Sequence, residues 1–400
     1  MKNILIIESE FSGHYLTGYI KYVLRALKDK KKINIILLIS DLSLSKGKRA
    51  LKILKDEKVN FKIKTFRYIY LKNFSKISLI KYQFKFYFKI KREFKKLNKI
   101  YKFDHIFLNS IQRFDKALSI LGSPFGNTKF SGVILGIKFH LQKYKFQYTE
   151  TSSIISKYLF SKLLNIKYLK FLITNDILLK NYFSKNDKNI KSKLVFLHDP
   201  KEFNYKLSKK KARNLLGLSS KSFIILVYGS IIDSKGIIQL LNIFTRKINF
   251  SIQIIIAGEQ FDQIKYYLKK KFVKSLIKNN QVKIISGWQN EYKEAKLFYS
   301  ADIIWIGYEN YPFPSGVFYQ SIAARRPAII SKNGFIFYLN KIYKVGHLVN
   351  IYNPNDIIRK IYEIKYNKKN IKLGKAIKYF HQISKPDKWV DNFKKHIFNK

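Results

Sequence analysis

The 400-residue chain carries 79 Lys+Arg against 25 Asp+Glu, a formal net charge of +54 at pH 7. Its 46% apolar and 16% aromatic content and its seven prolines exclude intrinsic disorder, and the absence of cysteine excludes a disulfide framework, a Cys-ligated zinc and a Cys nucleophile. No apolar run approaches the ~18–20 residues of a membrane-spanning helix, and Met1–Ile7 turns acidic at Glu8 without a signal-like apolar core, so a cytoplasmic globular protein of two or three domains is expected.

In the first half, short apolar strands are predicted at Asn3–Ile7, Ile33–Ile39, Val59–Lys64, His105–Leu108, Gly132–Ile137, Phe171–Thr174 and Leu194–Leu197. Amphipathic helical stretches lie between most of them, for example Leu16–Leu27 and Ser152–Leu164. That alternation predicts a parallel sheet with helices on both faces. The loop Glu8-Ser-Glu-Phe-Ser-Gly-His-Tyr15 follows the first strand, and in such sheets ligands meet the carboxyl ends of the strands.

From Phe61 to Lys99 thirteen basic residues and one acid, Glu93, are interleaved with eleven Phe or Tyr. Phe86, Ile90, Phe94, Leu97 and Tyr101 form one helical stripe, and Lys81, Lys85, Lys89, Lys96 and Lys99 fall largely off it. Two readings are compatible: a core-facing helix with a solvated lysine face, and a face that meets an anionic membrane surface.

A polar, lysine-rich segment from Asp199 to Ser222 breaks the pattern, with a short helix over Lys209–Leu216. Strands resume at Phe223–Tyr228, Ile252–Ala257, Val282–Ile285, Ile303–Ile306 and Ala328–Ile330, and the tail beyond Asn370 reads as helices divided at Pro386. The expected architecture is α/β: two Rossmann-like parallel-sheet domains, residues 1–200 and 201–380, facing a central cleft. Residues 381–400 are expected to form a carboxyl-terminal helix that packs back on the first domain.

The charge alone invites a nucleic-acid reading. Lysine outnumbers arginine sixty-nine to ten, however, and residues 1–200 hold 42 bases and 13 acids against 37 and 12 in residues 201–400. Base recognition favours the arginine fork and a localised patch. Lys, Ile, Asn, Phe and Tyr are enriched together, as an AT-rich coding sequence would enrich them. No specific nucleic-acid partner is expected.

Two segments carry chemistry. Tyr228-Gly-Ser-Ile-Ile-Asp-Ser-Lys-Gly236 runs from a strand into a helix, where Gly229 lets the chain turn and Lys235 adds charge at a helix start, a setting for a diphosphate. A solvated Lys-Gly helix start is the plainer reading. Between the strands at Ile303 and Ala328, Ser315 is a candidate N-cap, and Gly316 leaves the following amides, including that of Val317, open to a phosphate.

Here the sequence resembles the family-4-type glycosyltransferases of the GT-B fold. The resemblance rests on an ordered series: Lys193-Leu-Val-Phe-Leu-His-Asp-Pro-Lys-Glu-Phe203, Ala212-Arg-Asn-Leu-Leu-Gly-Leu218, the Gly229 to Gly236 turn, Ile254-Ile-Ile-Ala-Gly258, Val282-Lys-Ile-Ile-Ser-Gly287, Tyr299-Ser-Ala-Asp302 and Ile322-Ala-Ala-Arg-Arg-Pro327. It implies transfer of a sugar from a nucleotide-sugar donor, bound mainly by the carboxyl half, to a glycan or lipid-linked acceptor in the amino half. Polysaccharide or glycolipid synthesis, in the cytoplasm or on the inner face of the cell membrane, would be the setting. No cofactor and no metal are implied, since Lys235 and the amides of Ser315 to Val317 would hold the diphosphate. Gly13 and His14 resemble the amino-domain loop beside the donor phosphates, with His14 a second catalytic candidate or else a histidine without chemistry. His140 stands where the family often has an active-site histidine and would orient or deprotonate an acceptor hydroxyl, or else is a strand-end histidine without chemistry.

The chain also departs from the family. The usual pair of glutamates, separated by seven residues, is replaced by Pro312 and Gln320; Glu309 lies three residues too early but stays a donor-binding candidate that a shifted loop would bring in, and Ser230, also a donor-binding candidate, stands where a basic residue usually follows the turn glycine. Gln320 would hydrogen-bond a hydroxyl as a neutral amide. A variant subgroup is the expectation; a catalytically silent GT-B protein that binds nucleotide or glycan is the alternative.

Overall fold

The computed structural model describes residues 2–10, 17–28, 32–71, 75–144, 146, 153–183, 192–246, 248, 251–366 and 371–398. They form two compact units, one of residues 1–200 with 386–400 and one of residues 201–385. The carboxyl-terminal helix that belongs to the first unit thus begins at Pro386.

Among the described residues the amino unit is a seven-stranded parallel sheet in the order β3-β2-β1-β4-β5-β6-β7. Its strands are β1 (Lys2–Glu8), β2 (Ile33–Ser40), β3 (Lys62–Phe66), β4 (His105–Leu108), β5 (Lys129–Val133), β6 (Leu169–Thr174) and β7 (Leu194–Phe196). The helices that concern the site are α1 (Tyr19–Leu27), α2 (Lys76–Tyr101), α3 (Asp115–Leu121), α4 (Ser153–Leu164) and α5 (Ile177–Phe183). Residues 4–7 and 35–39 are almost wholly apolar because both faces of the sheet are covered. Leu5, Ile7, Ile36 and Leu38 face one core with Phe86, Ile90 and Phe94 of α2. Ile4, Ile6, Ile35 and Leu37 face the other with α1.

Two strands differ from expectation. β5 begins three residues before the predicted Gly132 and ends at Val133, because its partner β4 is only four residues long and pairs His105 with Lys129 and Leu108 with Gly132. β3 is shifted towards Phe66, which pairs with Ser40 and brings its ring into the core against Phe86 at 6.0 Å.

The carboxyl unit is a six-stranded parallel sheet in the order β10-β9-β8-β11-β12-β13. Its strands are β8 (Phe223–Tyr228), β9 (Ile252–Gly258), β10 (Val282–Ser286), β11 (Ile303–Ile306), β12 (Ala328–Ser331) and β13 (Gly346–Val349). Helices α6 (Ile237–Leu241), α7 (Glu291–Ser300) and α8 (Gly316–Ala323) follow β8, β10 and β11. At the amino ends of β8 and β11, Asp302 receives the Ile224 amide at 2.7 Å and the Arg213 guanidinium at 2.6 Å, and Lys209 also pairs with it.

The last helix, α9 (Pro386–Phe398), returns to the amino unit. Trp389 stacks on Phe393 at 5.3 Å and lies 5.7 and 6.0 Å from Tyr19 and Tyr22 of α1, while Phe393 meets Phe107 edge-on. Trp389 is 2% exposed. Trp389→Ala leaves a cavity under α1 and is expected to cost the amino unit about 3–5 kcal/mol. Denaturant unfolding followed by circular dichroism reads the loss; an unchanged midpoint would show that α9 does not hold that face.

Candidate functional site

Each sheet reverses its winding once, between β8 and β11 in the carboxyl unit and between β1 and β4 in the amino unit. Open parallel sheets bind ligands outside the carboxyl ends of the strands at such reversals. The sequence-predicted residues divide between these two places, and the units are described separately.

In the carboxyl unit the loop after β8 folds down onto the ends of β9 and β11. The Ile231 amide donates to the Glu259 carbonyl at 2.7 Å, the Phe261 amide to the Ile231 carbonyl at 2.9 Å, and Trp305 Nε1 to the Lys235 carbonyl at 2.9 Å. Glycines make the close contacts possible. A Cβ on Gly258 would sit 1.8 Å from the Gly229 carbonyl oxygen, and one on Gly236 would sit 2.1 Å from the Gly307 carbonyl oxygen. Both glycines also hold positive φ, 143° and 62°.

This packing turns Lys235 inwards. Its side chain lies beside the strand ends instead of projecting at a helix start, its Nζ donates to the Tyr228 carbonyl, and the ammonium stands 5.3 Å from the centre of the Tyr308 ring. The residue is 8% exposed. Burial pushes the ammonium down to about 7. Gly229 and Val317 flank the amine: a Cβ on Gly229 would lie 3.2 Å from Nζ and 3.6 Å from a Val317 methyl.

Ser315 occupies the N-cap position of α8, but its side chain makes no cap bond; Oγ instead faces the Tyr308 hydroxyl at 3.3 Å. The cap expected from the sequence is therefore absent, and no side chain closes off the amides of the first turn, Gly316 and Val317 among them. That is the arrangement of a helix end that takes an anion. Gly229, Lys235, Val317 and the start of α8 are thus gathered into one electropositive corner.

The remaining predicted residues have other settings. Ser230 is exposed on the turn. Gln320 donates its amide to Glu294 of α7, a carboxyl that burial pushes up and to which the Tyr228 hydroxyl also donates. The Glu309 carboxylate accepts from Gln239 of α6 and from the Tyr352 hydroxyl, and its amide donates to the Ser234 carbonyl at 2.8 Å. Sequence reasoning missed Glu294, which reaches Gln320 from another helix. It also missed Lys201, whose methylenes lie 3.8 Å from a Cβ position on Gly316. Glu294 lies in none of the quoted motifs, and Lys201 lies in the Lys193–Phe203 stretch without being singled out there.

In the amino unit Gly13 and His14 lie outside the described residues. Just before them, Glu8 is buried at the end of β1 and receives Asn109 Nδ2 at 2.5 Å, Ser110 Oγ at 2.7 Å and the Glu10 amide at 2.8 Å. Glu10 pairs with Arg113 at 3.1 Å. Burial raises both carboxyls despite these donors. His140 is fully buried, with Nε2 2.9 Å from Asp176 Oδ2, while Asp176 Oδ1 caps α5 by accepting from the Leu179 amide at 2.9 Å. Both imidazole nitrogens are enclosed, and neither meets hydrogen-bond geometry with a partner, Asp176 included. On α2, Lys81, Lys85, Lys96 and Lys99 are exposed; Lys89 is partly buried and pairs with Glu93 at 3.3 Å.

Among the described residues no group of three or more His, Asp or Glu side chains is placed to hold a metal ion, and no helix is long and apolar enough to cross a membrane.

A family model described as "Glycosyl transferases group 1" matches residues 208–380. No curated protein matches the chain in sequence. Among solved structures, sucrose-phosphate synthase from Thermosynechococcus elongatus superposes with a TM-score of 0.69 at 14% identity, covering 98% of this chain and 97% of that one. HepE from Anabaena in complex with UDP and glucose gives 0.65 at 13% identity, covering 98% of each chain. A glycosyltransferase from Rickettsia africae gives 0.66 at 16%, covering 100% of this chain and 99% of that one. At these identities the likenesses establish a shared fold.

Because holding a buried ammonium opposes folding, Lys235→Met is expected to leave the protein at least as stable, with a thermal midpoint raised by about 2–4 °C for each kcal/mol regained. Differential scanning calorimetry at pH 7 measures it. A lowered midpoint would show that the amine braces the loop and is not held there against a cost.

Proposed function

We propose that the chain, whose residues 208–380 match a glycosyl transferases group 1 model, is a glycosyltransferase of GT-B fold that moves a sugar from a nucleotide-sugar to a glycan or lipid-linked acceptor without a metal ion. The observation that carries the reading is the burial of Lys235 beside the uncapped start of α8. A diphosphate arriving there meets amides already pointing outwards and an ammonium that regains full charge on contact. Such preorganised groups stabilise the charge that develops on the leaving diphosphate without reorganisation at the moment of reaction. In this reading they perform the work that a divalent cation does elsewhere. Lys201, near Gly316, adds a second positive group to the same corner.

The sign of the pH dependence follows from Lys235. Its amine is protonated below about pH 7 and neutral above it, and the diphosphate binds the protonated form. UDP-glucose, whose diphosphate does not titrate in this range, is therefore expected to bind with constant affinity up to about pH 6.5 and more weakly above pH 7, by as much as tenfold per pH unit. Lys235→Met is expected to lose at least tenfold in affinity and to flatten the profile. Isothermal titration from pH 6 to 9 supplies both measurements. Failure of UDP-glucose, GDP-mannose and ADP-glucose alike to bind the folded wild-type chain would refute the proposal.

The acceptor side is proposed to meet an anionic membrane surface through α2. Its outward face exposes Ile77, Phe88 and Ile100 along with Lys81, Lys85, Lys96 and Lys99. Phe88 and Arg92 also line a shallow surface cavity of about 430 Å³ with Lys91, Lys95, Lys96 and Lys99. Basic residues near an anionic surface contribute about 1 kcal/mol each, and the exposed rings add apolar contact. Changing Lys81, Lys85, Lys96 and Lys99 together to glutamine is expected to lower co-sedimentation with phosphatidylglycerol vesicles at least tenfold; equal sedimentation by that variant would remove this face of α2 as the contact.

A further inference from the structure

The carboxyl unit contains a cavity of about 680 Å³ that none of the predicted site residues lines. It lies at the amino ends of the strands: Phe223 opens β8, Asp302 and Pro327 stand immediately before β11 and β12, and His347 is the second residue of β13. The helices Pro354–Tyr366 and Ile371–Ile383 close it with Ile364 and Ile377. The Gly229 to Gly236 turn leaves the opposite, carboxyl end of β8. The cavity and the Lys235 corner are therefore separated by the length of that strand, roughly 17–20 Å.

Its lining carries six basic side chains against two carboxylates. Each acid is already matched: Asp302 by Arg213 and Lys209, and Glu363 by Lys360 and by Arg359 from outside the cavity. Burial pushes His347 down to about 4, so it adds no charge at pH 7. Of the remaining bases, Lys365 is half-buried, while Lys221 and Arg325 are exposed without a carboxylate partner among the described residues. Arg325 is unusual in two ways. Its φ is 53°, a left-handed conformation that glycine takes freely and that a Cβ makes costly. The other basic residues with positive φ among the described residues, Lys58, Lys102 and Lys344, are all lysine, and the chain has only ten arginines among its 79 bases. An arginine fork binds phosphate through two parallel hydrogen bonds, which an ammonium cannot do.

We propose that this cavity is a second anion site, apart from the Lys235 corner, which takes a small phosphate monoester with a ring-sized organic body, of the class of a hexose phosphate. Arg325 and Lys221 hold the phosphate, and the body lies against Ile364 and Ile377. A monoester, whose second ionisation falls at about pH 6, is mostly a dianion at pH 7 and so answers the excess of bases. The volume falls within the roughly 300–1,000 Å³ of small-molecule sites, which leaves room for a body beyond the phosphate itself. The site goes beyond sugar transfer and binds its ligand whether or not the Lys235 corner takes a nucleotide-sugar.

The test titrates the full chain with glucose 6-phosphate at pH 7 and low ionic strength by isothermal calorimetry, with glucose and inorganic phosphate as controls. Glucose 6-phosphate is expected to bind the wild type at least tenfold more tightly than either control. Arg325→Gly, which removes the fork and relaxes the backbone, and Lys221→Gln, which removes an exposed ammonium, are each expected to weaken that binding at least tenfold. Their thermal midpoints are expected to be no lower than that of the wild type, which shows that both are folded. Lys235→Met, in the opposite corner, is expected to bind glucose 6-phosphate as the wild type does. A wild type that binds glucose 6-phosphate no better than glucose overturns the site, and so do Arg325→Gly and Lys221→Gln variants that bind as well as the wild type. Loss of binding in Lys235→Met would overturn it by placing the phosphate in the other corner. Inorganic phosphate that binds as tightly as glucose 6-phosphate would overturn the assignment of an organic body.

Discussion

The carboxyl unit depends on a contact between backbones. The Gly229 carbonyl lies where any side chain at position 258 would be, and the Gly307 carbonyl lies where any side chain at position 236 would be. Only with both glycines can the loop after β8 lie flat across the ends of β9 and β11. Once it does, Lys235 has nowhere to go but inwards, against the Tyr228 carbonyl and the Tyr308 ring. The same compression brings Val317, and with it the start of α8, to the Gly229 turn. A larger residue at 236 or 258 would therefore disturb the amine and the helix amides together, although neither glycine carries a functional group.

Charge takes on a different meaning at this scale. A net +54 spread evenly over both halves says little about function, since exposed lysines are screened by salt within about 10 Å. What distinguishes the two sheet edges is their buried charge. The carboxyl unit hides an ammonium at its reversal, while the amino unit places two acids, Glu8 and Glu10, at the end of β1. Burying either sign is unfavourable without a partner, and each is partnered within its own unit, Lys235 by the Tyr228 carbonyl, Glu8 by Asn109 and Ser110, and Glu10 by Arg113.

The sheet strands were legible because parallel strands covered on both faces read as continuous apolar runs, as in Ile4 to Ile7 and Ile303 to Ile306. Where the strand is short and half polar the signal fails: β13, Gly-His-Leu-Val, was not anticipated, and β5 was displaced because its register is fixed by a distant partner, β4. The same division holds for side chains. Gly229, Lys235 and Gly316 to Val317 lie within short segments whose spacing already implies a turn and a helix start. Glu294 and Lys201 acquire their settings from contacts made between elements far apart in sequence, and no window of residues contains that information. Ser315 shows the limit within a single motif, since its sequence position marks a cap while the nearby Tyr308 hydroxyl attracts its Oγ instead.

Gln320 illustrates how a lost charge can leave hydrogen-bond polarity intact. An amide offers both a donor and an acceptor, and in isolation either could face a ligand. Here the Nε2 group is committed to Glu294, which is itself fixed by the Tyr228 hydroxyl. The side chain therefore has its carbonyl oxygen left to offer, which accepts from a hydroxyl as a carboxylate does but carries no net charge. A neutral acceptor at this position avoids the like-charge repulsion that a second carboxylate would add near Glu294. Glu294 and Gln320 thus act as a pair, in which the buried carboxyl sets the direction of the amide.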